Sequence, residues 1–289
     1  MNCKEVSSIG TLIELSFDYD FDEALQRLAL DPVNAVDLHK REIRIPMDEG
    51  NIVALKGTGT KSAPAFVITG NLNEKQIEWV SKCFHFHDSL RHITEHFAES
   101  DLERLFVQYA GTPIIRNFSP YGTLMRNIIH QQLNVAFAHI LTLRFVETFG
   151  ARQEGVWRYP KPEVIAALRV EDLQNLQFSR RKAEYVIGIS KEIVEGALDL
   201  TKFEWMEDAE VVNRLTKLRG IGPWTAQNFL MFGLGRPNVF PLGDIGLQNG
   251  LKKLWNMDRK PTSDEMLSRF PYWSPYLSYA ALYLWKSIE

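Results

Sequence analysis

The sequence predicts an α+β protein, with a small N-terminal antiparallel sheet and helix domain over residues 1–85 and an all-helical domain over residues 86–289. Three observations predict it. Short alternating apolar runs bounded by turn residues are confined to the first part of the chain. From about residue 86 onward the apolar residues recur at helical spacing instead. Within that second part, a tight Gly220-Ile221-Gly222 turn joins two helical segments in the stretch LRGIGPWTAQNFLMFGLGRPNVFPLGDIGL. With 289 residues the chain has material for a sizeable core.

In chain order, Ile13, Leu15 and Phe17 alternate, as do Ile43 and Ile45, and residues 51–56 and 65–69 read as further strands. A helix over 21–30 is ended by Asp31-Pro32, because a proline disfavours helical backbone in the residue before it. Gly57-Thr58-Gly59-Thr60 and Gly70-Asn71 are turn chemistry. A helix from Asn73, with Glu74 in its first turn, carries Ile77, Trp79 and Val80. Helical period then runs over 89–98, 101–110 and 120–149, the last as two helices meeting near Gln131–Asn134. Residues 161–168 and 171–176 give short helices and 179–198 a longer one. After the Gly220 turn come 244–255, 263–270 and 275–288.

Net charge is −3, so no global basic signature marks a nucleic-acid binder. Local patches would have to serve: Arg180-Arg181-Lys182, Lys217 with Arg219, Arg236, and Lys252-Lys253, each of which also reads as a solvated helix face. Two cysteines, Cys3 and Cys83, are too few for a disulfide framework, a four-cysteine zinc site or an iron–sulfur cluster. No apolar run reaches membrane-spanning length and the N-terminus lacks a signal-peptide core, so a soluble, cytoplasmic protein is expected, nucleoid-associated if bacterial. His85, His87, His92 and His96 lie near Cys83; His92 and His96 have a zinc-compatible i, i+4 spacing, but no carboxylate–histidine motif surrounds them. A solvated linker helix fits them better.

Val211, Val212, Leu215 and Leu218 precede the glycine turn at helical spacing, and Pro223 opens the next helix. Such a turn bares backbone N–H groups at the second helix's N-terminus, a ready site for one phosphate. Asp244 stands at the start of another periodic segment, Leu247, Leu251 and Leu254. It is either a helix N-cap or a working carboxylate, and the two roles are compatible.

These residues resemble the helix–hairpin–helix DNA glycosylases, and within them the alkylation-repair, 3-methyladenine DNA glycosylase II type. The match is carried by Leu218, Gly220-Ile221-Gly222, Trp224-Thr225-Ala226, Val239-Phe240 and Asp244. A second element is Gln131-Gln132-Leu133-Asn134, and a third the closing Trp273-x-Pro275-x-x-x-Tyr279-Ala280. The resemblance covers about 88–285, with a weaker match at Phe17-Asp18-Tyr19-Asp20-Phe21. It implies a helical domain in two lobes around a cleft, and a partner, double-stranded DNA containing damaged bases, bound by a monomer. Missing cysteines place the chain outside the iron–sulfur branch.

Carried over residue by residue, the resemblance implies that Asp244 is catalytic and stabilises the sugar cation as the base leaves. Trp224, Tyr276 and Trp273 would wall the base pocket, where electron-rich rings favour cationic alkylated purines. Gly220, Gly222 and Thr225 would contact DNA, and Gln132, or else Leu133, would fill the gap left by the flipped nucleotide. Trp224 stands where strand-cutting relatives carry a Schiff-base lysine, which implies a monofunctional enzyme. No organic cofactor is implied; carbonyls of Thr216, Leu218 and Ile221 would hold Na+ or K+. Two readings stay open beside this one: a glycosylase for oxidised or deaminated bases, and a non-catalytic DNA-binding module.

Overall fold

The computed structural model describes residues 2–6, 10–47 and 50–289, with side chains from residue 10 onward; that of Cys3 lies outside the described ones. Six strands form one antiparallel sheet: β1 (Asn2–Val6), β2 (Gly10–Glu14), β3 (Ala35–Asp37), β4 (Glu42–Pro46), β5 (Ile52–Gly57) and β6 (Ala65–Thr69), ordered β1-β2-β6-β5-β4-β3. Alternation sets its inner face. Ile13, Ile43, Ile45, Val53, Leu55, Phe66 and Ile68 are all buried, and Ile13 pairs with Phe66 and Ile43 with Leu55. α1 (Phe21–Ala29) packs on that face, with Phe21 edge-on to Phe66, and α2 (Glu74–Cys83) follows the sheet in the chain. Asp20 caps the first, and a reciprocal Asn73–Gln76 capping box starts the second.

Beyond residue 86 the chain is helical, as expected, with one exception. The helices are α3 (Leu90–His96), α4 (Glu103–Gln108), α5 (Pro120–His130), α6 (Val135–Phe149), α7 (Pro162–Ala166), α8 (Val170–Gln174), α9 (Arg180–Val194), α10 (Asp208–Thr216) and α11 (Pro223–Gly233). They continue with α12 (Ile245–Leu254), α13 (Ser263–Leu267), α14 (Phe270–Trp273) and α15 (Leu277–Lys286), and a 3-10 helix covers Leu200–Trp205. The exception is a hairpin of β7 (Ala151–Gln153) and β8 (Val156–Arg158), which corrects the all-helical expectation. Glu154 and Gly155 both take positive φ, +48° and +83°, the backbone of a two-residue hairpin turn. Arg44 holds Glu154 at 3.1 Å, and Arg158 donates to the carbonyls of Met47 and Asn51, so the hairpin is clamped to the sheet.

α5 and α15 are the inner helices. Eight of the ten residues of α15 are buried, Leu277 through Leu284, so it is apolar all round, as a buried helix must be. Tyr283 donates from α15 to the Thr112 carbonyl at 3.0 Å, and Lys286 pairs with Glu23 of α1. A single contiguous core therefore runs from Ile13 of the sheet to Leu284 of the last helix. Among the described residues no helix is long and apolar enough to cross a membrane.

Candidate active site

The hairpin turn between α10 and α11 is fixed by its glycines for different reasons. Gly220 has φ +96°, and a Cβ there would lie 2.3 Å from the ring of Tyr185 on α9. Only glycine permits that approach. Gly222 is the N-cap of α11; a Cβ there would meet nothing within 4 Å, so this corner faces open space. Among the described residues no side chain caps α11, and Pro223 at its first position has no N–H to satisfy. The N–H groups of the first turn are left pointing outward.

Beside the hairpin lies the turn between α5 and α6. Gln131 donates from one Nε2 to the Gly220 carbonyl at 2.9 Å and to the Thr225 hydroxyl at 2.9 Å. This tie has a consequence for two expected DNA contacts. Thr225 is buried, and its hydroxyl braces the neighbouring turn instead of facing outward. Gln132 follows at the tip, exposed and with φ +54°, whereas Leu133 is half-buried against the core. Asn134 caps α6 through the Phe137 amide at 2.9 Å. From the other side Lys182 donates to the Ile129 carbonyl, closing the last turn of α5.

Asp244 is the N-cap of α12 and also more than that. Its Oδ1 accepts from the Leu247 amide at 2.9 Å and from Trp285 Nε1 at 2.9 Å. Among the described residues its Oδ2 accepts only from Trp224 Nε1, at 2.8 Å. Two indoles from α11 and α15 thus grip one half-buried carboxylate at a helix N-terminus, where the helix dipole favours negative charge. Gly246 makes room: a Cβ there would stand 3.0 Å from Asp244 Oδ1 and 3.2 Å from the Trp285 ring. The Trp285 ring was not among the site residues expected from sequence.

The carboxylate, both indoles and Phe232 line a cavity of about 290 Å³, close to the lower size of small-molecule pockets, ~300 Å³. α5 contributes Arg126, Asn127 and His130, and α1 with its following loop contributes Arg27, Leu28, Leu30, Asp31 and Asn34. A larger recess of about 640 Å³ lies between the sheet, β8 and α5; it shares Asp31, Asn34, Asn117 and Arg126 but does not reach Asp244. In the cavity wall Arg126 is paired with Asp31 at 3.0 Å. Burial, with Arg126, His139 and Lys182 nearby, pushes the His130 imidazole down to about 3, so it stays neutral. Thr142 donates its hydroxyl proton to the Ala138 carbonyl, so His130 Nε2, 3.1 Å from that oxygen, is the donor there. His130 Nδ1 is then a free acceptor.

Two residues expected as pocket walls, Trp273 and Tyr276, do not line this cavity. Trp273 is fully buried, donates to Asp101 at 2.9 Å and packs against Phe240, Trp255 and Phe270. Tyr276 packs edge-on to His96 and Tyr279. Neither lines the cavity at Asp244. The reason is distance along α15: Tyr276 and Trp285 are nine residues apart, about 13 Å of helix. Asp101 also accepts the Trp255 indole at 2.8 Å, so two indoles on one carboxylate recur there, away from the cavity that Asp244 lines. The histidines disperse: His85 bonds Asp88 at 2.6 Å, His87 meets Glu78 at 3.2 Å, and His96 packs edge-on to Phe97 and Tyr276. Among the described residues no three His, Cys, Asp or Glu side chains converge as a metal site would require.

A glycine hairpin between two helices, an exposed turn residue beside it and a carboxylate lining a cavity with the second hairpin helix are the features of a helix–hairpin–helix protein. Residues 125–275 match the HhH-GPD superfamily of base excision DNA repair proteins. The chain is 49% identical over 276 residues to YfjP of Bacillus subtilis, whose name marks it as a provisional DNA-3-methyladenine glycosylase, covering 94% of this chain and 96% of that one. A second Bacillus subtilis protein, a DNA-3-methyladenine glycosylase, is 39% identical over 183 residues, 62% of this chain and 60% of that one. Among solved structures, the 3-methyladenine DNA glycosylase of Archaeoglobus fulgidus superposes with a TM-score of 0.79 at 24% identity, covering 95% of this chain and 96% of that one. The chain belongs to the HhH-GPD superfamily.

Proposed function

We propose that this protein is a monofunctional DNA glycosylase that excises alkylated purines such as 3-methyladenine from duplex DNA and leaves an abasic site. One observation carries the reading: Asp244, held by two indoles, stands open to a cavity directly beside the hairpin, in a chain so close to 3-methyladenine glycosylases by name.

Duplex DNA binds through its phosphates, one of them on the amides at the start of α11. The damaged nucleotide swings into the cavity, and Gln132, the exposed tip of the α5–α6 turn, fills the gap it leaves, with Leu133 behind it. The base lies among Trp224, Trp285 and Phe232. Asp244 Oδ2, which has a single donor among the described residues, faces the sugar. As the bond from C1′ to the base breaks, its electron pair leaves with the base and positive charge grows on the sugar, where the carboxylate stabilises it. Water then adds to C1′. Trp224 offers no amine, so no Schiff base forms and the strand stays uncut. The carbonyls of Thr216, Leu218 and Ile221 are uncharged oxygen donors suited to Na+ or K+; one lone pair of Leu218 is taken by the Ile221 amide at 3.1 Å, and the other is free for an ion.

The test is the Asp244→Asn variant on methylated duplex DNA. Free-base release should fall roughly a thousandfold, while DNA affinity stays within a few-fold. Undiminished release would remove Asp244 from the chemistry, and lost binding would make it a structural cap only.

A further inference from the structure

Arg27 is the one cation on the wall of the Asp244 cavity that makes no ion pair among the described residues. It projects from α1, in the sheet part of the molecule, and its guanidinium lies 5.0 Å above the Phe232 ring. Phe232 in turn sits 6.0 Å from Trp285, so guanidinium, phenyl and indole follow one another along the wall toward the carboxylate. The other charges of the wall are spoken for: Arg126 by Asp31, and Asp244 by its three donors. Glu289 remains, and acts on Arg27 through space. Burial brings the guanidinium down to about 10, which leaves it charged at neutral pH.

For a cationic base the favourable charges of the wall are the carboxylates Asp244 and Glu289, and the guanidinium is not one of them. A 3-methylated adenine or 7-methylated guanine enters as a cation and departs neutral once the electron pair of the broken bond reaches its ring. It needs no help in leaving, and a guanidinium beside it is repulsive. A neutral purine differs. The same electron pair makes the departing ring an anion until a proton from water reaches it, while the remaining hydroxide joins C1′. A guanidinium stabilises that negative charge in the transition state and little in the ground state, which is what raises a rate.

We propose that Arg27 is a specificity-determining residue that extends this pocket to neutral purine lesions carrying an acceptor oxygen, of which hypoxanthine is the simplest. The inference rests on the Asp244 cavity being the base pocket, as argued above. Arg27 stacks on Phe232 at the cavity wall, donates to the oxygen-bearing edge of the base, and offsets the charge the base acquires on leaving.

The experiment compares hypoxanthine with 3-methyladenine, each in the same duplex, under single-turnover conditions for the wild type, Arg27→Gln and Arg27→Lys. Removing the charge should lower hypoxanthine release about tenfold or more and leave 3-methyladenine release within about twofold of the wild type, or raise it. Arg27→Lys, which keeps a charge without the flat guanidinium, should fall between. A structural role for Arg27, as a tie between α1 and α11, would lower both rates together, and that outcome overturns the proposal. So does a wild type that releases 3-methyladenine but no hypoxanthine. A wild type that releases neither base instead overturns the glycosylase reading itself. Thermal melting of each variant identifies one that does not fold, and the Arg27→Lys ratio then decides alone.

Discussion

At the scale of single residues, Trp285 is the side chain whose removal should separate positioning from packing. Its indole N–H is one of two that hold Asp244, while its ring walls the cavity and packs 6.0 Å from Phe232. Trp285→Phe keeps most of the ring and deletes the donor. Hydrogen bonds to charged groups contribute about 1.5–3 kcal/mol, so maximal base release should drop by roughly tenfold to a hundredfold while KM moves little. A rise in KM at unchanged maximal rate would mean that the ring, not the N–H, is what matters. This residue also shows where sequence reasoning stops. The aromatic cluster from Phe270 to Tyr279 stands out in the chain, and Trp273 and Tyr276 drew attention for that reason. α15 is buried on all sides, however, so its periodicity names no face, and nothing in the spacing says that its far end turns toward Asp244. Asp244 itself was legible because it opens a periodic segment after the glycine turn and because the resemblance to the helix–hairpin–helix glycosylases singles it out.

At the scale of elements, the hairpin holds two glycines with opposite duties, and substitution should tell them apart. Gly220→Ala forces a Cβ to within 2.3 Å of the Tyr185 ring at a φ of +96°. Strain of the backbone alone is about 1–2 kcal/mol, and the clash adds to it, so the melting temperature should fall and base release should fall with it. Gly222→Asp meets no neighbour within 4 Å and sits at an ordinary φ of −97°. Stability should hold, while affinity for any duplex falls and its dependence on salt becomes shallower, since a phosphate contact is replaced by repulsion. Equal melting and equal affinity in the second variant would remove the hairpin as the phosphate anchor. Elements with strong punctuation were readable in this way: Asn73, Ser179 and Asp244 each begin a helix with a side-chain cap. β3, β7 and β8 were not, because three-residue strands have no room for alternation, and the Glu154-Gly155 turn is fixed by contacts from the sheet more than a hundred residues earlier.

At the scale of the whole molecule, the cavity is closed by chain segments that are far apart in sequence. α1 and the loop after it, α5, α11, Trp285 of α15 and Glu289 all contribute to its wall. Buried residues on both sides of residue 85 belong to one continuous core. His130 sits in that junction and gives it a pH dependence. In the folded state its imidazole is pushed from 6.5 down to about 3, by burial first and then by Arg126 on α5, His139 on α6 and Lys182 on α9. In the unfolded chain it accepts a proton at its ordinary value. Below that value the unfolded state binds more protons than the folded one, so stability is complete above about pH 6.5 and declines as the pH falls toward 3. The decline is at most about 1.4 kcal/mol for each pH unit, and less to the extent that water reaches the ring. Carboxylates held low, such as Glu265 at about 2, begin to count only below their own ordinary value of 4.5. Between pH 6.5 and 4.5 the loss of stability comes from the histidines, His139 adding a smaller share in the same direction, while Asp208, raised by burial, works against it. Urea unfolding across that window should show the midpoint falling for the wild type. His130→Gln, whose side-chain amide can still donate to Thr142, should flatten most of that fall. A wild-type midpoint constant from pH 6.5 to 4.5, or a variant as steep as the wild type, would mean that the imidazole is solvated in the native state and that α5 is not packed at this end of the cavity as described.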